Sequence, residues 1–238
     1  MSTPEGRLRA LIFDFDGTLA ELNIDFAAMR QTVEALARDR GFAGPWPAAG
    51  YLLEQVAEVS ARLGNGYGRQ ALELIEAVEL EAAARGRLFA FTRPLLVQAQ
   101  QAGLAVAIIS RNCGPAIRRV FPDIERHCGV FAPREAVPRV KPDPGHPLTA
   151  LAALGVGPEA AVLIGDHPVD IQTARAAGCR AVGVASGRVD RAGLLAAGAD
   201  LALNDAANLL EALASRGWLG SRLAFSDQIE PPKQPGRG

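Results

Sequence analysis

Lysine is nearly absent from this sequence of 238 residues: only Lys141 and Lys233 occur, and arginine supplies the rest of the 25 basic residues. The formal net charge is −1 at pH 7, so there is no excess of positive charge of the kind that attracts nucleic acid or an anionic membrane. We therefore expect no nucleic-acid partner. The single interior lysine also stands out as a candidate for a dedicated role.

Cysteine and long apolar runs are also scarce. No stretch approaches the roughly 20 apolar residues that span a bilayer, and the first residues contain no apolar segment like that of a signal peptide. The three cysteines, Cys113, Cys128 and Cys179, are odd in number and form no C-x-x-C pair. We expect reduced thiols in a cytoplasmic protein without membrane contact. The sequence gives no indication of the oligomeric state.

Short apolar runs alternate with helical patterns through most of the chain. The runs read as strands are Leu8 to Asp14, Leu104 to Ile109, Gly129 to Phe131, Ala161 to Ile164, Ala181 to Val184 and Leu201 to Leu203. Helical patterns follow at 94–102, 115–120, 144–154, 168–177, 191–197 and 205–215. This alternation predicts right-handed βαβ crossovers and an α/β fold with a parallel sheet covered by helices.

Residues 24–87 show helical patterns only. Phe26, Met29 and Val33 fall on one face of an amphipathic helix, and two further helices are expected after the proline-containing break at 41–47. We expect a small helical insertion that leaves the core after the first strand. The predicted boundaries are 1–22 and 88–222 for the core, 23–87 for the insertion, and 223–238 for a mobile C-terminal tail rich in proline and glycine.

Several of the predicted strands end in polar residues. These residues are Asp14 with Asp16 after the first strand, Ser110 after the second, and Asp166 with Asp170 after Ala161 to Ile164. Because parallel strands end at the same edge of a sheet, we expect these groups to meet there. Lys141 lies in a loop just before a helix and is expected at the same edge.

This combination of groups suits phosphoryl transfer. Asp14 can attack phosphorus and form an aspartyl-phosphate, while Asp16 can protonate the leaving oxygen and then take a proton from water. An anion that attacks a phosphate needs positive charge nearby, which Lys141 and a metal ion would supply. Aspartate oxygens favour Mg²⁺.

Other polar residues of the motifs have more than one possible role. Thr18, Ser110 and the backbone N–H groups of the turn are expected to hold phosphoryl oxygens; for Ser110 the alternative is a strand-end or helix-cap role. Arg111 and Asn112 follow Ser110 and are candidates for the same substrate contact, with solvent exposure as the alternative. We expect Asp170 to orient a metal-bound water; direct ligation and a place at the start of the next helix remain alternatives. His167 is expected to be structural.

Together these motifs resemble those of the haloacid dehalogenase-like superfamily. The four motifs are Asp14-Phe15-Asp16-Gly17-Thr18, Ser110, Lys141 in Lys-Pro-Asp-Pro, and Gly165-Asp166-His167-Pro168-Val169-Asp170. The helical insertion is similar to the cap domain of phosphoglycolate phosphatase-like members. The resemblance implies a Rossmann-like core, Mg²⁺ held by Asp14, the Asp16 carbonyl and Asp166, and a phosphatase acting on a small phosphorylated metabolite beneath the cap.

Two further functions fit parts of the pattern. A sugar-phosphate mutase of the β-phosphoglucomutase type would need a second phosphate-binding patch, for which the candidates are Arg30, Arg38, Arg62 and Arg69. A phospho-accepting receiver domain has clustered acids and a lysine, but it needs no second aspartate for turnover. Asp16 also disfavours haloacid dehalogenation, and the absence of lysine from residues 24–87 disfavours phosphonoacetaldehyde-type hydrolysis.

Overall fold

The computed structural model describes residues 6–220, within which eight strands and nine α-helices are found. The strands are β1 (Ala10–Phe13), β2 (Ala20–Glu21), β3 (Arg87–Leu88), β4 (Ala105–Ile109), β5 (Val130–Ala132), β6 (Ala161–Gly165), β7 (Arg180–Val184) and β8 (Leu201–Leu203). The helices are α1 (Phe26–Asp39), α2 (Leu52–Leu63), α3 (Asn65–Ala83), α4 (Thr92–Gln101), α5 (Gly114–Val120), α6 (Gly145–Leu154), α7 (Pro168–Ala177), α8 (Arg191–Ala196) and α9 (Leu209–Ser215).

Six strands form one parallel sheet in the order β5-β4-β1-β6-β7-β8. The first strand is central: Phe13 lies opposite Ile108 of β4 and Ile164 of β6. All four residues of β1 are fully buried, as expected for a continuous apolar run in a sheet covered on both faces. The predicted α/β, Rossmann-like fold class is confirmed.

The side chains of β1 alternate between two apolar layers, because successive residues of a strand point to opposite faces. Leu11 and Phe13 belong to the layer that includes residues of α4 and α9, whereas Ala10 and Ile12 belong to the layer that includes residues of α6 and α7. The sheet is thus the middle of three layers. Its carboxyl edge is left for the loops that follow the strands.

Helices α1, α2 and α3 lie between β2 and β3 in the chain and form the helical insertion. Their buried apolar residues include Met29 and Val33 of α1, Val56 of α2 and Ile75 of α3. Helix α3 contacts both other helices of the insertion and also α5 of the core. The insertion therefore rests on the core next to the ends of β1 and β4.

The ribbon of β2 and β3 is absent from the sequence prediction, which has helices only over residues 24–87 and so wrongly includes Arg87. Ala20 pairs with Leu88 and Glu21 with Arg87 in antiparallel register. Strands of two residues leave no visible alternation, and their pairing depends on the two ends of the insertion meeting in space. A second difference from the sequence prediction is the start of helix α9, which lies at Leu209 and not at the expected residue 205.

Within residues 6–220, no helix combines the length and the apolar character that crossing a membrane requires. The predicted mobile tail at 223–238 lies outside the described residues.

Candidate active site

The turn after β1 holds the two aspartates of the first motif. The Asp14 backbone N–H donates to the Ile164 carbonyl at 2.9 Å, which ties the start of the turn to β6. The Asp16 carboxylate accepts the Leu22 N–H at 2.9 Å. Gly17 has a φ of +82°, a conformation that strongly favours glycine, so the turn can reverse sharply between the two acids and the insertion.

Lys141 joins two of the predicted acids. Its Nζ lies 2.7 Å from Asp14 Oδ1 and 2.6 Å from Asp170 Oδ1, and the lysine is fully buried. Burial alone would lower the pKa of Lys141, but the charges and hydrogen bonds of Asp14 and Asp170 outweigh it and raise the pKa above its usual value. The ammonium is therefore charged and fixed beside Asp14.

Three carboxylates meet at this edge of the sheet. One oxygen from each of Asp14, Asp166 and Asp170 lies within 4.8 Å of the others. Burial, followed by the charges of Asp14 and Asp170, raises the pKa of Asp166; burial and the Asp14 charge also raise that of Asp170. Asp166 and Asp170 are buried and Asp14 is partly buried. These three acids carry more negative charge than one ammonium offsets, and their all-oxygen donor set fits a hard divalent cation such as Mg²⁺.

Asp16 differs from Asp14 in its surroundings. Its pKa is raised to about 6, chiefly by burial and also by the neighbouring Asp14 charge, although the Leu22 N–H acts in the opposite direction. An acid with a pKa in this range can both give and take a proton near neutral pH.

The predicted phosphate-binding residues lie at the ends of neighbouring strands. Ser110 is fully buried after β4; its hydroxyl donates to Asn112 Oδ1 at 3.1 Å and accepts the Asn112 N–H at 3.2 Å. Thr18 Oγ1 is buried without a hydrogen-bond partner. A buried hydroxyl without a partner is costly, so Thr18 is suited to contact a ligand or to donate within the turn when one binds.

Arg111 is held by protein groups. Its Nη1 and Nη2 donate to the two oxygens of Glu54 in α2, each at 3.0 Å, and Nη1 also donates to the Lys141 carbonyl. The guanidinium carbon lies 5.0 Å from the centre of the Tyr51 ring. The predicted substrate contact of Arg111 stays a prediction, whereas its contact between the insertion and the core is observed.

A cavity of about 550 Å³ lies between the insertion and the carboxyl edge of the sheet. Asp14, Asp16 and Asp166 line it from the core, together with Asn112 and His167. The insertion contributes mainly apolar and aromatic side chains, namely Phe26, Met29, Tyr51, Leu52, Leu53 and Ile75. The sequence pattern did not single out these residues as a lining, since their spacing on the helices is also that of ordinary packing.

A loop after β7, residues Ser186 to Arg188, completes the cavity and is absent from the sequence prediction. Ser186 Oγ donates to the Gly17 carbonyl at 2.7 Å. A Cβ at Gly187 would lie 1.8 Å from Asp166 Oδ2, so this backbone packs directly against the acid. The sequence signal that could have indicated this loop is Gly187, a glycine just beyond the carboxyl end of a predicted strand.

Glu79 of α3 is a second unpredicted link between the insertion and the core. This buried carboxylate accepts hydrogen bonds from Arg134 Nη1 at 2.7 Å and from the Cys113 N–H at 2.9 Å.

His167, expected to be structural, accepts the Val169 N–H at 3.2 Å and thus caps α7. Its backbone N–H donates to Asp170 at 3.1 Å.

The four arginines considered as a second phosphate patch do not gather at the cavity. Only Arg30 lines it; Arg38, Arg62 and Arg69 have side chains that are 71%, 59% and 76% exposed. Each of the four pairs with a glutamate four residues away on the same helix. No observation here favours a mutase.

Comparison with known proteins identifies the family. The family model described as haloacid dehalogenase-like hydrolase matches residues 11–184, which include all four motifs. The chain belongs to the haloacid dehalogenase-like hydrolases. The prediction that this chain is an enzyme, a hydrolase, is confirmed.

Two curated relatives of this hydrolase are phosphatases. The N-acetylmuramic acid 6-phosphate phosphatase of Pseudomonas putida is 27% identical over 77% of this chain and 85% of its own length. The phosphoglycolate phosphatase of Xanthomonas campestris is 29% identical over 73% of this chain and 81% of its own length. Among solved structures, a hydrolase from Pseudomonas syringae has a TM-score of 0.69 at 22% identity, covering 87% of this chain and 98% of that one, and so supports the fold alone.

Proposed function

We propose that this hydrolase is a Mg²⁺-dependent phosphatase that hydrolyses a small phosphomonoester through an aspartyl-phosphate. The observation that carries the proposal is the position of the buried Lys141 ammonium, which lies 2.7 Å from Asp14, a residue that lines the cavity, and 2.6 Å from Asp170. A buried cation beside a strand-end carboxylate is the arrangement that an anionic nucleophile needs in order to approach a phosphate.

Asp14 acts as the nucleophile. A carboxylate oxygen of Asp14 forms a bond to phosphorus while the bond from phosphorus to the ester oxygen breaks. Water then attacks phosphorus, which releases inorganic phosphate and restores the Asp14 carboxylate. The hydrogen bond from the Asp14 N–H to Ile164 holds the backbone of the nucleophile still, and Lys141 reduces the repulsion between the two anions.

Asp16 moves the protons. It gives a proton to the leaving ester oxygen in the first half-reaction and accepts one from the attacking water in the second. Its raised pKa of about 6 places both protonation states within reach near neutral pH. The Leu22 N–H, at 2.9 Å, fixes the orientation of its carboxylate.

Asp14, Asp166 and the main-chain carbonyl of Asp16 would hold Mg²⁺, and the expected part of Asp170 is to orient a water molecule bound to the ion. When bound, the ion supplies positive charge to the phosphoryl oxygens. We expect Asn112, which lines the cavity, and the buried Ser110 and Thr18 to contact the same oxygens. Arg111 would keep Lys141 in position through its carbonyl.

The helical insertion, residues 23–87, acts as the cap that selects the substrate. Its side chains form most of the cavity away from the three aspartates, so they would meet the alcohol part of the ester. The relatives act on N-acetylmuramic acid 6-phosphate and phosphoglycolate, which supports a small phosphorylated metabolite. We propose a cytoplasmic location, in keeping with three buried, unlinked cysteines.

Phosphate release from p-nitrophenyl phosphate and a panel of phosphorylated metabolites, with and without Mg²⁺, tests the proposal. A phosphatase releases phosphate catalytically and shows a transient phosphoprotein after an acid quench. A stable phosphoprotein without turnover would instead indicate a receiver domain. A sugar phosphate converted to its isomer without net phosphate release would indicate a mutase.

A further inference from the structure

The charged side chains around the cavity are nearly all neutralised by protein partners. Outside the aspartates, Glu21, Arg30, Glu79 and Arg111 each lie between 2.6 and 3.0 Å from an oppositely charged side chain. Arg188 also lines the cavity, but no carboxylate among residues 6–220 lies within ion-pair distance of it. Its positive charge is therefore available to a ligand.

The side chain of Arg188 is nevertheless positioned. Its Nη2 donates to the Ile24 carbonyl at 2.8 Å, and its guanidinium carbon lies 4.8 Å from the centre of the Phe26 ring. A guanidinium has five N–H donors, so most of them remain unused after the one bond to Ile24. A guanidinium held over an aromatic ring still has N–H donors with the geometry to bind a carboxylate.

The position of Arg188 relates it to the leaving group. Two residues earlier, Ser186 bonds the Gly17 carbonyl in the turn that carries Asp16, and Gly187 packs on Asp166. Lys141 bonds Asp14 and Asp170, whereas Arg188 bonds the Ile24 carbonyl next to the insertion. Arg188 thus faces the part of the cavity between the proton donor Asp16 and the insertion, where the alcohol part of an ester would lie.

We propose that Arg188 is a specificity-determining residue that binds a carboxylate on the alcohol part of the substrate; this rests on the phosphatase function proposed above. The substrate class is the phosphate ester of a small hydroxycarboxylic acid. Its carboxylate meets the guanidinium edge, and its carbon chain lies against the apolar side chains of Ile24, Phe26 and Met29, which line the cavity beside it.

A carboxylate fits this position better than a second phosphate. The position offers one exposed arginine, since Arg30 and Arg111, which also line the cavity, are paired with glutamates. A phosphate dianion would need more positive charge than one partly solvated guanidinium supplies, whereas a carboxylate needs a single bidentate partner.

A matched pair of substrates tests the proposal. Phospholactate and phospholactamide have nearly the same shape, but only the first carries a carboxylate. We expect the unmodified protein to favour phospholactate in kcat/KM by about tenfold, the effect of a charge-assisted hydrogen bond at a partly exposed position. Arg188→Gln should remove this preference by losing activity on the acid only, and Arg188→Lys should keep part of it.

The controls separate the possible failures. Arg69→Gln removes an exposed arginine of α3 and should keep the preference. p-Nitrophenyl phosphate, which has no carboxylate, should lose less activity than phospholactate in Arg188→Gln. Equal use of acid and amide by the unmodified protein would overturn the proposal, as would an equal loss on all three substrates in Arg188→Gln.

Binding gives a readout that does not depend on turnover. In an Asp14→Asn background, calorimetry should show tighter binding of phospholactate than of the amide, and Arg188→Gln should abolish the difference. If no phosphomonoester is hydrolysed but this difference is found, the phosphatase function fails while the carboxylate site stands. Equal affinities for the two compounds would overturn the carboxylate site itself.

Discussion

Arg111 and Glu54 connect the core to the helical insertion at the edge of the cavity through two hydrogen bonds of 3.0 Å. Arg111 also donates to the Lys141 carbonyl, so one guanidinium contacts both the insertion and the loop that carries the buried lysine. Glu54 additionally accepts the Tyr51 N–H at 3.1 Å. The pair therefore links the position of the insertion to the position of Lys141.

Glu54→Gln should weaken this link. The two side chains are 20% and 37% exposed, so the pair is screened by solvent and its loss should cost at most about 1 kcal/mol of stability. We expect a lower kcat and faster proteolytic cleavage near residues 22 and 87. Glu58→Gln, which removes an exposed pair on the same helix, is the control. Equal behaviour of the two variants would remove the connecting role of Arg111 and Glu54.

Asp14→Asn should reduce phosphate release by a factor of about 10³ or more, as expected when the nucleophile is lost. The asparagine keeps the size of the side chain but cannot form an aspartyl-phosphate. Rates should be measured with p-nitrophenyl phosphate, with Asp39→Asn, an exposed change at the end of α1, as the control. Substantial turnover by the Asp14 variant would exclude it as the nucleophile.

Removal of divalent cations with EDTA should stop catalysis, and Mg²⁺ should restore it. Because the ion binds the folded protein, Mg²⁺ at about 100 times its dissociation constant should also add about 2.7 kcal/mol to the free energy of unfolding. Thermal unfolding of Asp166→Asn with and without Mg²⁺ provides the comparison, and this variant should show little of the increase. Hydrolysis unaffected by EDTA would contradict the metal role of Asp166.

Gly187→Ala should impair catalysis through Asp166. The added methyl group would lie 1.8 Å from Asp166 Oδ2, so either the carboxylate or the loop must move. We expect a loss of about tenfold or more in kcat, since small displacements of catalytic groups carry large penalties. Gly66→Ala, in α3 with nothing within 4 Å of the new methyl group, should leave the rate unchanged. A fully active Gly187→Ala would show that the loop does not position Asp166.

His146 should make stability depend on pH. Its Nε2 bonds the Ala132 carbonyl at 2.9 Å and its Nδ1 accepts the Lys141 N–H at 3.3 Å, an arrangement that requires the neutral ring. Burial, with a contribution from the Lys141 charge, lowers its pKa from 6.5 to about 4. The folded protein therefore binds fewer protons than the unfolded chain in this interval, and stability from His146 is lost as the pH falls from 6.5 to about 4.

The lowered pKa of His146 sets the size of its contribution to the free energy of unfolding, which is about 3 kcal/mol at most. Chemical unfolding of the unmodified protein and of His146→Gln should be compared between pH 7 and pH 4. The difference between the two free energies of unfolding should shrink as the pH falls, since the acids that also titrate there are common to both. A constant difference would show that His146 does not remain neutral.

The fold and the centre of the site could be predicted because their signals are local. A continuous apolar run such as Ala10–Phe13 indicates a strand buried on both faces, and successive strands and helices indicate a parallel sheet. Polar residues that follow such strands meet at one edge, which brings Asp14 and Asp166 together without further information. Lys141 stood out through the scarcity of lysine alone.

The surroundings of that centre depend on contacts between residues far apart in the chain. Arg111 and Glu54 are 57 residues apart, and Arg188 is 164 residues from the Ile24 carbonyl that it bonds. Nothing in their spacing distinguishes these arginines from the others, since an exposed arginine and a paired one look alike in a sequence. The two-residue strands β2 and β3 were missed for the same reason.

The sequence by itself determined the layered α/β fold and which acids and lysine meet at the carboxyl edge of the sheet, because apolar periodicity and strand ends act over a few residues. Only the tertiary structure decided which charged groups neutralise one another around the cavity. That outcome depends on how the insertion packs against the core. Among the charged side chains of residues 6–220 that line the cavity, apart from the aspartates, it leaves Arg188 without a carboxylate partner.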